Sequence, residues 1–162
     1  MDTIFLKLGG SLITEKDHAY TARKELLNEL ARVIFKSYEN GENYQLVVGH
    51  GSGSFGHQEA KLHGTRNGVH SRDDWYGFLK VWKQARALNQ IVIDSLLQAG
   101  LPALSFPPVS AIISQNQKVV TWDTQPIQFA LSKGLIPVIY GDVIFDEKMN
   151  GTILSTEELF QA

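Results

Sequence analysis

The residues best placed to do chemistry in this chain are two glycine-rich runs, each following an apolar stretch. Lys7-Leu8-Gly9-Gly10-Ser11 comes after Ile4-Phe5-Leu6, and Gly49-His50-Gly51-Ser52-Gly53-Ser54-Phe55-Gly56-His57 comes after Leu46-Val47-Val48. Glycine lets backbone approach a ligand closely and allows positive φ, so successive N–H groups can converge on one anion. A helix beginning after such a loop adds unsatisfied N–H groups and the positive end of its dipole. With a lysine in one loop and histidines in the other, the pattern implies a site for two phosphate-bearing molecules, or for one large one.

Each candidate has a plainer reading beside it. Lys7, near the end of an apolar strand, could snorkel to an edge. The glycines that follow favour a phosphate contact, with the ammonium as point charge and the loop amides as cradle. The spacing is neither that of the Walker P-loop nor that of the dinucleotide fingerprint. Lys16 reads as a surface lysine or as a second cation beside the first loop. His50 and His57 could pack locally. As ligand groups they suit hydrogen bonds to phosphate oxygens better than metal binding, because no third metal ligand follows at useful spacing. His57 is the favoured one, since it sits where a helix is expected to start. Asp142, in Tyr140-Gly141-Asp142, is either a turn aspartate or part of the site. Glu157 and Glu158 fit the first turn of a helix. Trp75, Phe78 and Trp82 recur at helical spacing, either as core or as the wall of an apolar substrate pocket.

The elements that must position these groups alternate along the chain. Short apolar runs predict strands over residues 3–8, 44–48, 101–106 and 136–140, with the first and last buried and parallel. Helices are expected over 22–40, with Leu26, Leu27, Leu30, Val33 and Ile34 on one face and Gly41 as its stop, and then over 56–62 and 72–99. Another is expected over 124–133, capped by Thr124 and stopped by Gly134. Residues 9–21 read as loop and 63–71 as a mobile polar segment. Hairpins are expected at 111–122 and 143–154, and a helix starts at Ser155-Thr156-Glu157-Glu158. This order predicts an α/β fold, a mostly parallel sheet with helices on both faces and ligands at the strand C-terminal ends.

At 162 residues the chain is most simply one domain. Its net charge of −2 gives no footprint for nucleic acid or for an anionic membrane. The absence of cysteine excludes disulfides and thiolate chemistry and fits a cytoplasmic location. No signal peptide and no bilayer-spanning run is read.

Together these motifs resemble the amino acid kinase superfamily and, within it, the isopentenyl phosphate kinase family. The resemblance rests on Lys7–Ser11, Ile13-Thr14-Glu15-Lys16, the loop ending Phe55-Gly56-His57, Trp122-Asp123-Thr124, Pro137–Val143 and Ile153-Leu154-Ser155. It implies transfer of the γ-phosphate of ATP, with Mg²⁺, to isopentenyl phosphate, and a cytoplasmic homodimer. By the same resemblance His57 and the loop amides at Gly51, Ser52 and Gly53 hold the acceptor phosphate, with His50 and Gly56 counted in the same site; the helical spacing of Phe78 and Trp82 adds the expectation that they wall the isoprenoid. Lys7, Gly9, Gly10 and Ser11 contact the phosphoryl group in transfer, with Lys16 nearby and Ser155 on the cofactor side; Asp142 organises the phosphate site or its lysine, and Lys7, His57, Lys16 and Asp142 are the expected catalytic residues. Where the family usually reads Ser-Gly-Asp-Asp, this chain has Ser155-Thr156-Glu157-Glu158. Family members are longer, so residues 1–162 are expected to be the acceptor-binding half without the nucleotide-binding half. Two other readings stand beside this one: a related phosphotransferase for another small phosphate or a phosphonate such as fosfomycin, and a non-catalytic anion-binding module.

Overall fold

A computed structural model describes residues 2–40 and 44–162. Four parallel strands, β1 (Asp2–Leu8), β2 (Tyr44–His50), β3 (Ala103–Ser105) and β6 (Ile136–Tyr140), form one sheet in the order β1-β2-β6-β3. Side chains alternate across it, as strand geometry requires. Leu46 and Val48 join one core with Leu27, Ala31 and Ile34 of α2 (Lys24–Glu39) and Leu88, Val92 and Leu96 of α4 (Arg72–Gln98). Val47 and Ile139 face the other way, toward Ile127 of α5 (Gln125–Ser132) and Leu159 of α6 (Thr156–Gln161). Helices therefore cover both faces. The Gly41 expected to stop α2 lies outside the described residues, and Val33, expected on its apolar face, is exposed while Ala31 is buried.

Two hairpins, β4 (Ile112–Gln115) with β5 (Lys118–Trp122) and β7 (Asp142–Asp146) with β8 (Asn150–Leu154), join into a second sheet through a parallel β4–β7 pairing. Asp146 fastens that junction. It accepts hydrogen bonds from Ser114 Oγ (2.8 Å) and from the backbone N–H groups of Asn116, Gln117, Lys148 and Met149 (2.9–3.1 Å). Burial alone raises its pKa, but these donors outweigh it and hold the carboxyl well below its ordinary range.

Several local expectations change. β1 is parallel but lies at the sheet edge, with Ile4 and Phe5 43% and 55% exposed rather than buried. Residues 9–21 contain one helical turn, α1 (Gly10–Ile13), and α3 (Gly53–His63) starts three residues before Gly56. Segment 63–71 is packed, not loose. Val69 and Thr65 are buried, Val69 N–H donates to Met149 O, and Thr152 Oγ1 and Gln117 Nε2 both donate to Arg66 O. Thr124 makes no side-chain cap for α5; Asp123 Oδ1 takes the Gln125 N–H instead.

Candidate functional site

Three strands end at one level. In the sheet register Leu8 faces His50, and His50 faces Tyr140, so Gly9, Gly51 and Gly141 leave the sheet together. The two glycine loops then meet backbone to backbone. Gly51 N–H donates to Leu8 O, and a Cβ on Gly10 would stand 2.6 Å from the Gly53 nitrogen. Gly53 has φ +48°, and a Cβ there would run into Thr14 Oγ1. That hydroxyl bridges the loops, donating to Gly10 O (2.7 Å) and accepting from Ser54 N–H (3.0 Å). The glycines are thus required by contact between the loops as well as by any ligand.

A cavity of about 510 Å³ opens above these strand ends. Lys7, Gly9, Gly10, Ser11, Gly51, Ser52, Gly56, His57, Asp142 and Ser155 all line it, so most of the residues expected at the site converge there. Lys16 and Gly53 line a smaller adjoining pocket of about 240 Å³ that shares Ser11 and His57 with the first. Three expected residues lie elsewhere. His50 is fully buried behind the loop, stacked on Tyr140 at 5.3 Å, with Nε2 3.1 Å from Asn89 Oδ1 and Nδ1 3.1 Å from Gly51 O. Desolvation lowers its pKa against those two contacts. It braces the loop rather than facing the cavity. Phe78 is buried against Val69, Val81 and Val143, and Trp82 packs on the same cluster beneath the Arg86 guanidinium. One helical turn from Phe78, Val81 reaches the cavity and forms an apolar end with Ala60 and Ile153.

The electrostatics centre on three carboxyl groups. Lys7 Nζ is hydrogen-bonded to Glu157 Oε1, and this contact is the main reason the Glu157 pKa is lowered. Arg66 lines the cavity and pairs with Glu158 at 2.7 Å. The other oxygen of Glu158 accepts the Ser155 N–H at 2.6 Å, while Ser155 Oγ accepts the Glu158 N–H, closing a capping box on α6. Asp142 is buried. Its Oδ1 accepts the Val143 N–H at 2.8 Å and its Oδ2 has no partner, so burial pushes its pKa up to about 8. A buried carboxyl oxygen without a partner, in a residue that lines a cavity, calls for an explanation, and a cation or a ligand hydroxyl would satisfy it.

Sequence reasoning missed Arg66, which sat in a segment read as loose. It also missed the Lys7–Glu157 pair, whose members are 150 positions apart. Thr156, where the resemblance expects glycine, is buried and donates to His50 O, tying α6 to the second glycine loop. The chemistry available is the binding of anions between amides and cations, with a carboxylate on Lys7 and on Arg66 that a ligand must outcompete.

The family model described as "Amino acid kinase family" matches residues 2–160. A protein named isopentenyl phosphate kinase from Methanocaldococcus jannaschii is 31% identical, over 95% of this chain and 61% of its own length. One of the same name from Methanothermobacter thermautotrophicus is 32% identical, over 96% and 60%. A solved structure described as an X-ray structure of isopentenyl phosphate kinase superposes with a TM-score of 0.88 at 32% identity, covering 97% of this chain and 64% of that one. The chain spans about three fifths of the length of the curated relatives it matches.

Proposed function

Since this chain belongs to the amino acid kinase family, we propose that it supplies the acceptor-binding part of a kinase that transfers the γ-phosphate of ATP to isopentenyl phosphate. The observation that carries this reading is the single cavity into which Lys7, both glycine loops and His57 converge, in a chain whose relatives bear that name. The acceptor phosphate rests on the amides of the Gly51–Gly53 loop, with His57 as donor. Val81, Ala60 and Ile153 offer the apolar carbons a desolvated wall. Lys7 and the Gly9–Ser11 turn face the phosphoryl group in transfer. Phosphoryl transfer asks mainly that two anions be held in line while charge on their oxygens is neutralised. Asp142 and Glu157 hold or release the cations that do so, and Lys16 approaches from the adjoining pocket.

No three His, Asp or Glu side chains among the described residues come together as a metal site. Mg²⁺ enters this proposal with the nucleotide phosphates, whose charge it offsets. The nucleotide-binding half belongs, in this reading, to the two fifths of the relatives that the chain does not span. The same reading carries a homodimer and a cytoplasmic location. Among the described residues no helix is long and apolar enough to cross a membrane.

Calorimetry with isopentenyl phosphate and with ATP, beside an assay for isopentenyl diphosphate, tests the division of labour. Residues 1–162 are expected to bind the monophosphate weakly and to leave ATP unconsumed. Turnover by this chain alone overturns the placement of the nucleotide site, and preferential binding of fosfomycin over isopentenyl phosphate overturns the acceptor.

A further inference from the structure

The loop carrying Lys16 is closed at its base and held to α3 by its returning arm. Thr14 and Ala22 form an antiparallel bridge, Glu15 N–H donates to Thr21 O at 2.9 Å, and the Arg23 guanidinium meets the Glu15 carboxylate at 3.1 and 3.2 Å. On the returning arm, next to Thr21, Tyr20 adopts φ +53°, in the left-handed region. For a bulky aromatic this conformation is costly, and glycine or asparagine would turn the chain there with less strain. What tyrosine supplies is its side chain. The ring meets Phe55 edge-on at 6.2 Å, and the hydroxyl donates to Glu59 Oε1. Glu59 Oε2 lies 3.4 Å from His63 Nε2 without a hydrogen bond between them, and the His63 ring is packed where a Cβ on Gly77 of α4 would fall. Phe55 and Glu59 lie one turn apart on one face of α3, the helix that also carries His57, and Lys16 and His57 line the same pocket.

We propose that Tyr20, through its hydroxyl on Glu59, is a positioning residue that clamps the Lys16 loop onto α3 and so sets Lys16 beside His57. A lysine side chain has large rotational freedom, and a loop that moves with it would lose much of its pull on a bound phosphate. The clamp removes the loop's share of that freedom before the ligand arrives. This inference rests on the phosphate-site reading above for its consequence, though the clamp itself is a property of the fold.

The test combines hydrogen exchange over residues 15–22 with calorimetry of isopentenyl monophosphate, on the parent chain and on Tyr20→Phe, Glu59→Ala and Glu59→Gln. Tyr20→Phe and Glu59→Ala are expected to speed exchange in that segment about tenfold and to weaken the monophosphate about three- to tenfold, with exchange in α4 unchanged. Glu59→Gln keeps a carbonyl that accepts from the hydroxyl, so it is expected to behave as the parent on both readouts. Parental exchange in Tyr20→Phe, or a Glu59→Gln as loose as Glu59→Ala, overturns the clamp. A released loop with parental affinity overturns its positioning role. Should the parent itself bind no monophosphate, the acceptor reading fails, while the exchange data still decide the clamp.

Discussion

His57 and Lys7 enter the cavity from different elements, α3 and β1, which lets each be tested without disturbing the other. His57→Ala leaves the core untouched, because the side chain is exposed. It is expected to weaken isopentenyl phosphate binding by about 1.5–3 kcal/mol, the range for a hydrogen bond to a charged group; unchanged calorimetric affinity removes it from the site. Asp142 and Asp146, at the two ends of β7, predict opposite responses to pH. Asp142 has a native pKa pushed up to about 8, so the stability it contributes is full below the unfolded carboxylate value near 4 and declines as pH rises to about 8. Asp142→Asn is therefore expected to gain on the parent across that interval in urea titrations, by an amount on the order of a few kcal/mol at most. Asp146 is held low, so its contribution is present above about pH 4 and lost as pH falls through the carboxylate range. Asp146→Asn is expected to cost about 2–4 kcal/mol at neutral pH and to flatten the acid limb, since an amide cannot accept the whole set of donors. These roles were only partly legible in the sequence. Asp142 was marked by its place after a buried strand, but Asp146 looked like any hairpin residue, because its donors come from two hairpins whose pairing no local pattern encodes.

The glycine loops were legible as elements because their composition has a backbone cause. Their mutual contact was not, since it depends on β1 and β2 ending in register. Gly10→Ala forces a Cβ against the Gly53 backbone, which cannot yield as a side-chain tip would. The expected result is a loss of about 1–3 kcal/mol in stability together with a loss of monophosphate binding. The aromatic stripe of α4 illustrates a different limit. Helical periodicity identified the inward face but could not say which turn of it meets the cavity, and the answer is Val81 rather than Phe78 or Trp82. On the proposed reading, Val81→Phe, in this chain joined to a nucleotide-binding half, is expected to exclude longer prenyl phosphates in competition assays. An unaltered chain-length preference places the isoprenoid elsewhere.

At the scale of the whole molecule, the alternation of strands and helices predicted the parallel sheet and its two covered faces. It did not predict that β1 would be an edge. A continuous apolar run reads as buried, and Ile4 and Phe5 instead stand exposed on a seven-residue strand whose outer side is unpaired among the described residues. Such edges recruit other chains. Phe5→Lys is expected to reduce concentration-dependent self-association of residues 1–162 in sedimentation runs; association that persists unchanged assigns it to another surface.

Because Gly10 and Gly53 are braced backbone to backbone, with the Thr14 hydroxyl spanning them, neither glycine loop can swing outward alone. On the proposed reading, a phosphate monoester meets no opening step of those loops, and its arrival rate is expected to be set by diffusion and orientation. Differences in affinity among acceptors, and among substitutions at the cavity rim, are then carried by residence time, the dissociation rate changing by far more than the association rate.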